Sequence, residues 1–555
     1  MIGPPANMAL VARPTKTWTW LHAASLVLVL IVLVVANRGQ WFFGDEWDFI
    51  LRRGLHHAQY GLLRPHNEHW STLPILWWRA TYSVYHLHTY WPYLFGLFAT
   101  HLVVVHAAWR LMRRSQVGAP LATGVALVLG LFGAGSENLS WAFQVGFVGS
   151  LAAGLLLLLL VDDTGERRRV ALVATGAVAS LMLSGISVVM VVAVGLAALA
   201  RWGWRKAAAM TAPAAAVYLV WLKFCGRVGL EGGTSALHGG PGDIPRYVWG
   251  GMAATLGAPF KSQHIGDALL VALLVVVVVR GADWWRRAPL VLALAAASPI
   301  MLAVISQGRG AVQSPAAPRY LYLCAAMLLP LIAFAAQQVV RDDTPRVALA
   351  LVACALLTGL GTNELFDSLH FDRNVELTLR GQMLAALSLG GEHLVSQFPE
   401  FSYARDVSIA DLRRLQRRGD LPAFTPNVAN LAWARLGTEV APGAPTDAVG
   451  SAAAALTTPR RAKVQPRGDC FVVDPHGFPV MITRVPSIAD AVISVTTRAA
   501  TGVDAFVPYA GGGRAGPRSF AGSGAAPVVV HDSVAGPLLL QWNGTATVCG
   551  VTWQK

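Results

Sequence analysis

The chain has 555 residues, 54% of them hydrophobic and only 13% charged, with a mean hydropathy of +0.49. A soluble domain carries about 25% charged residues, so a chain solvated wholly by water is excluded. The formal charge of +14 is no nucleic-acid footprint, because the basic residues stand in short clusters between apolar runs, as in membrane proteins.

In chain order, apolar runs at 18–36, 91–112, 118–134, 143–161, 169–183, 186–201, 207–224, 264–280, 288–306, 319–339 and 345–362 predict about eleven spans. The first follows a basic flank (Arg13, Lys16), is too long for a signal-peptide core and precedes no small-residue cleavage site. It reads as an uncleaved span. The runs 169–183 and 186–201 are short and separated only by Ser184-Gly185, so one broken or re-entrant hairpin is the alternative. Arg110/Arg113/Arg114, Arg167/Arg168/Arg169, Arg201/Arg205/Lys206, Arg280/Arg286/Arg287 and Arg341/Arg346 fall on alternate connections. The positive-inside rule puts those connections and the N-terminus in the cytoplasm. The loops 37–90, 225–263 and 307–318, and everything after about 363, then lie outside the cytoplasmic membrane.

The fold class expected is therefore an all-α polytopic membrane bundle with a C-terminal extracytoplasmic β-sandwich. Its domains are 1–362, a helical segment and linker at 363–465, and the sandwich at 466–555. Residues 363–425 read as short helices, with Asp411-Leu412-Arg413-Arg414-Leu415 amphipathic, and 430–465, rich in Ala, Pro, Gly and Thr, reads as linker. Short β-type runs follow from about 466, beginning Cys470-Phe471-Val472-Val473 and ending Thr547-Val548-Cys549-Gly550-Val551. Cys470 and Cys549 are the only cysteines of this segment, and in an oxidising compartment they pair, tying its first strand to its last. Cys225, Cys324 and Cys354 read as small apolar packing residues. Phe471, Tyr509 and Trp542 are either sugar-stacking residues or sandwich core.

Three places carry candidate chemistry. The loop 37–90 opens on Gly44-Asp45-Glu46-Trp47-Asp48 and continues to His66-Asn67-Glu68-His69, with Trp41, Trp47, Trp70, Trp77, Trp78 and Trp91 interleaved. Trp at this density suggests an interfacial segment. A general base needs an ionised carboxylate aimed at a hydroxyl, and Asp45, Asp48 and Glu46 are the candidates, against a reading of Asp45 and Asp48 as helix N-terminal residues. His66 and His69 are too close for the i, i+4 zinc arrangement, and His66, Glu68 and His69 suit a substrate pocket. The second place is Glu137-Asn138-Leu139-Ser140-Trp141-Ala142-Phe143-Gln144, where Glu137, Asn138 and Gln144 are expensive near a membrane unless paired or functional. The third is Arg309 with Arg319-Tyr320, cations on the outer face and suited to a phosphate; an interfacial anchor is the plainer alternative. Lys223 and Lys261 could add charge to the same pocket.

The acidic motif in the first outer loop, the Glu137-Asn138…Trp141…Gln144 segment and the Arg309…Arg319-Tyr320 loop resemble the GT-C superfamily of integral-membrane glycosyltransferases, and the β-domain resembles those appended in actinobacterial cell-wall members. The resemblance covers roughly 18–362 in architecture and only short stretches in motif. It implies a polyprenyl-phosphate sugar donor, a cell-envelope glycan, lipid or protein acceptor, and a catalytic aspartate at Asp45, with Asp48 or Glu46 as alternates. It fixes no cofactor and leaves a divalent cation open. Two other classes stay in play. A lipid-linked saccharide flippase or other transporter would show repeats and mid-membrane charge, whereas here the charge crowds one face and no repeat is evident. A non-catalytic scaffold would present the β-domain to wall polysaccharide.

Overall fold

The computed structural model describes residues 16–56, 60–163, 167–226, 240–311, 313–341, 343–389, 407–443, 454–460, 462–476, 478–484, 491–497, 502–520, 527–532 and 536–554. Parts of two outer loops read from sequence, 57–59 and 227–239, and part of the segment read as short helices, 390–406, lie outside the described residues. The chain divides into two compact units. One comprises Met1–Gln40, Asp48–Tyr85 and Tyr90–Arg373; the other Trp41–Trp47, His86–Thr89 and Asn374–Lys555.

The helices, in order, are α1 (Lys16–Ala36), α2 (Glu46–Leu51), α3 (Thr72–Tyr85), α4 (Trp91–Arg114), α5 (Ala119–Gly130), α6 (Glu137–Ser140), α7 (Val145–Asp163), α8 (Arg167–Ser180), α9 (Ile186–Trp202), α10 (Trp204–Trp221), α11 (Ile244–Gly257), α12 (Gln263–Arg287), α13 (Pro289–Arg309), α14 (Pro318–Val340), α15 (Thr344–Ala386), α16 (Ile409–Arg417) and α17 (Val428–Thr438). Each of the apolar runs falls on a helix. Among the described residues, eight helical segments are long and apolar enough to cross a membrane, and α5 and α9 are shorter apolar helices. The chain is an integral membrane protein of the class expected.

α8 and α9 are two helices rather than one broken one. The turn between them is closed by its own serines: Ser187 Oγ donates to Ser180 O at 2.5 Å, and Ser184 Oγ lies 2.8 Å from Ser150 Oγ of α7. α15 runs past the end of the last predicted span because nothing breaks it. Residues 363–386 contain one Gly and no Pro, and Leu365 and Leu369, then Leu379 and Met383, fall buried at i, i+4 spacing.

The loop 37–90 is not a simple interfacial loop. It contains α2 and α3, and Trp41, Trp47, Trp70 and Trp78 are buried. Trp70 stacks on Trp221 at 5.2 Å between ring centroids and donates Nε1–H to Thr72 Oγ1 at 2.7 Å, while Trp221 Nε1 donates to Leu63 O at 2.8 Å. These contacts pin residues 63–70, just before α3, to the end of α10.

In the second unit, α16 and α17 open on reciprocal caps, Ser408 with Asp411 and Asn427 with Asn430. Among the described residues twelve strands follow: β1 (Val440–Gly443), β2 (Ala454–Thr457), β3 (Lys463–Arg467), β4 (Cys470–Asp474), β5 (Val480–Arg484), β6 (Ala491–Thr497), β7 (Val503–Tyr509), β8 (Gly513–Phe520), β9 (Val528–Asp532), β10 (Pro537–Gln541), β11 (Ala546–Cys549) and β12 (Val551–Gln554). They form two six-stranded sheets, β1-β9-β6-β11-β4-β3 and β12-β2-β5-β10-β7-β8, around a core that includes Val473, Ile482, Ile493, Leu538, Leu540 and Trp542. Trp542 is thus core, not a sugar platform, and Phe471 and Tyr509 pack partly buried against it. β1, β2 and β3 lie in or run out of the stretch that composition reads as linker. Arg518 ties α17 to this sandwich: buried, it donates to Leu436 O at 2.9 Å, to Gly437 O at 3.2 Å and to Val440 O, capping carbonyls the helix end leaves open.

Cys470 and Cys549 form a disulfide across a directly opposed pair of β4 and β11, Cα to Cα 4.3 Å. The pairing matches the expectation; the strands do not. They are neighbours within one sheet, fourth and eleventh of the described strands, because strands precede Cys470 from Val440 on and one follows Cys549. The bond closes a loop of 79 residues. Replacing both cysteines by serine should cost roughly 2–5 kcal/mol of sandwich stability, since the unfolded segment regains that loop's freedom. Protease resistance of the 440–554 segment across a denaturant series checks it; an unchanged midpoint refutes it.

Candidate functional site

The acidic motif begins at a turn. Gly44 takes φ 60°, a left-handed conformation that glycine adopts without a Cβ penalty. Glu46 then starts α2 and folds back, its Oε2 accepting from Phe43 N–H at 3.1 Å, and it is fully buried. Asp45, in the turn, is half-buried. Both belong to the second unit, whereas Asp48 belongs to the helical one.

Asp48 is the organising carboxylate of the helical unit's share of the loop. Its Oδ2 accepts from Arg53 Nε at 2.8 Å and lies 2.8 Å from His66 Nδ1. Arg53, itself buried, spends its remaining fork on Arg64 O at 2.9 Å and Pro65 O at 2.7 Å, and Arg79 Nε donates to Arg53 O at 2.8 Å. Burial alone would raise the Asp48 carboxyl; the hydrogen bond and charge of His66, with those of Arg53, prevail and hold it below the ordinary 3.8.

His66-Asn67-Glu68-His69 is a tight turn. His66 and His69 exchange backbone hydrogen bonds, each 2.9 Å, around Asn67 at φ 51°, a conformation asparagine tolerates. The turn places its side chains on different partners. His66 meets Asp48. Glu68 takes a bidentate pair from Arg309, Nε to Oε1 at 2.9 Å and Nη2 to Oε2 at 2.9 Å. His69 Nδ1 accepts from Gly185 N–H at 3.2 Å, in the turn between α8 and α9. An accepting Nδ1 leaves the imidazole proton on Nε2. Burial chiefly lowers the His69 pKa to about 4; the Glu68 charge opposes, and those of Arg309, His66 and Arg319 add.

That shift has a sign. Between about pH 6.5 and 4 the unfolded chain takes up a proton that native His69 refuses, so stability falls on acidification through this window. His69→Gln should flatten that part of the stability–pH curve, as read by thermal melts in detergent from pH 7 to 4; an unchanged slope refutes the assignment.

Arg319, at the start of α14, closes the cluster. Its Nη1 donates to Glu137 Oε2 at 2.8 Å, its Nη2 to Gln313 Oε1, and its guanidinium lies 5.3 Å from the Tyr320 ring centroid. Next to Glu137, Asn138 is fully buried in α6 with neither amide atom hydrogen-bonded among the described residues, and the buried Gln144 Oε1 is likewise unpaired. An uncompensated buried amide costs about 1–3 kcal/mol.

The structure therefore brings together Asp48, His66, Glu68, His69, Glu137, Arg309 and Arg319, with the charges of Glu68, Arg309, His66 and Arg319 all acting on His69. It also shows that both arginines are already paired. Arg53, Gln313 and Gly185 complete the cluster; of these only Arg53, five residues after Asp48, left a sequence signal. Among the described residues no group of three or more His, Cys, Asp or Glu could hold a metal ion.

No protein-family model and no curated protein matches the chain. Among solved structures it is similar to the crystal structure of ArnT from Cupriavidus metallidurans bound to undecaprenyl phosphate, with 13% identity, a TM-score of 0.47, and coverage of 72% of this chain and 85% of that one.

Proposed function

We propose that the protein is a membrane glycosyltransferase that moves a sugar from a polyprenyl-phosphate donor to a cell-envelope glycan, lipid or protein acceptor at the outer face of the cytoplasmic membrane, with its N-terminus inside and its β-domain outside. The observation that carries this reading is the cluster around His69, where Glu68–Arg309 and Glu137–Arg319 crowd the loops of an apolar helical bundle. Two guanidiniums at such a place suit a lipid-borne phosphate. Each is held in position by a carboxylate. Arg309 still has Nη1 without a hydrogen bond among the described residues, so it can take a phosphate oxygen without giving up Glu68.

The chemistry follows. A carboxylate takes the proton of the acceptor hydroxyl; that oxygen attacks the anomeric carbon; the bond from that carbon to the phosphate oxygen breaks, and the arginines stabilise the charge left on the phosphate. The base is assigned to Asp45. What supports this is its place in the acidic motif of the first outer loop, in the turn that leads into α2; Glu46 and Asp48 are the alternates, the latter with its basicity lowered by His66 and Arg53. The test is purified protein assayed with a panel of polyprenyl-phosphate sugars and membrane acceptors. New glycosidic product is expected, and sugar movement across vesicles without any new bond would overturn the reading.

A further inference from the structure

The helical unit holds a cavity of ≈ 320 Å³ that contains none of the residues clustered around His69; of the residues singled out in the sequence, Lys261 lines it. That volume is at the lower end of the roughly 300–1,000 Å³ typical of small-ligand sites. It abuts the site through the chain. Ser136 in its wall precedes Glu137, and Pro318 in its wall precedes Arg319, so the ion pair of those two residues grows from the cavity's edge.

The lining has an unusual charge arrangement. Lys261 and Glu364 both face it, near enough for their charges to interact, yet they form no ion pair. Neither side chain makes a hydrogen bond among the described residues. Lys261 is moreover held at φ 49°, a left-handed conformation that costs a side-chain-bearing residue free energy and that clusters where binding groups are presented. Ser136, Ser368 and Gln263 add neutral donors and acceptors, and Ala254, Ala258 and Leu321 give a flat apolar wall.

Such a lining discriminates by chemistry. Glu364 repels an anion and Lys261 repels a cation, so a singly charged ligand gains from one and loses to the other. A neutral polyol loses to neither. Its hydroxyls accept from the ammonium and donate to the carboxylate, and its C–H face covers the alanines. We propose that this cavity binds one neutral, hydroxyl-rich sugar ring of the acceptor, with Lys261 and Glu364 as the two polar anchors. The word acceptor rests on the transferase reading; the sugar-binding claim does not.

The experiment is saturation-transfer NMR on the full chain in lipid nanodiscs, with methyl glycosides of common hexoses and pentoses. At least one glycoside should bind, and Lys261→Met and Glu364→Gln should each weaken it fivefold or more, while the wild-type melting curve is kept. Ser368→Ala, a milder change, should weaken it by less. No bound glycoside, or binding indifferent to both anchors, overturns the proposal. Inorganic phosphate that competes with the glycoside and depends on Lys261 also overturns it, in favour of an anion site. Glycoside binding with no glycosyl transfer would instead sink the transferase reading and leave the sugar site standing.

Discussion

Asp45→Asn is expected to lower sugar transfer about 10²–10⁴-fold, the range a general base contributes, in protein that still inserts and folds. The reason is division of labour among three neighbouring carboxylates. Glu46 closes the turn that starts α2, and Asp48 anchors Arg53 and His66, so changes at either should act first on folding. Glu46→Gln and Asp48→Asn should therefore lower yield and melting temperature together with activity. Full transfer by Asp45→Asn in well-folded protein would remove Asp45 as the base.

The largest stability effect is expected at Arg53. Its guanidinium satisfies Asp48 and the carbonyls of Arg64 and Pro65 at once, and its side chain is only 4% exposed. Arg53→Ala leaves a carboxylate and two carbonyls without their donor and should cost about 3–5 kcal/mol. Arg53→Lys should rescue little, since one ammonium cannot reproduce the planar fork. Because the Asp48 carboxyl is held below 3.8, this contribution is present in full above that pH and lost as pH falls through the lower folded value. The variants should thus differ from wild type most near neutrality and least in strong acid. Loss of the 62–70 segment from protease protection is the convenient readout; wild-type protection in Arg53→Ala would refute the role.

The bundle was legible because membrane spans announce themselves by length and apolarity alone. What lacks that signal was not. α3 carries Arg79 among Trp77 and Trp78, and α11 is only fourteen residues long with Gly250-Gly251 inside, so neither looks like a span. β1 reads Val440-Ala441-Pro442-Gly443, with one β-branched residue, and earns its place in a sheet from its partner β9 rather than from its own propensity. In the site, the residue types were readable and the partnerships were not. Glu68 and Arg309 are separated by 241 positions, and Glu137 and Arg319 by 182, distances at which sequence spacing says nothing about contact. Arg309 and Arg319 looked like a bare phosphate clamp; each in fact carries a carboxylate partner, which makes the pair a pre-positioned, charge-balanced one.

The strand order of the first sheet constrains how the molecule is made. β11 sits between β6 and β4, so residues 546–549 must enter the middle of a sheet whose other members were synthesised earlier. Until then β6 and β4 each present an open edge, the kind of surface that recruits foreign strands. Cys470 stays an unpaired thiol over the same interval, since its partner lies on that late strand. Biogenesis of this half of the protein is therefore a race. A chain emerging residue by residue must be shielded until its keystone arrives, and a ribosome stalled only a few codons short of it would release a sheet in two halves.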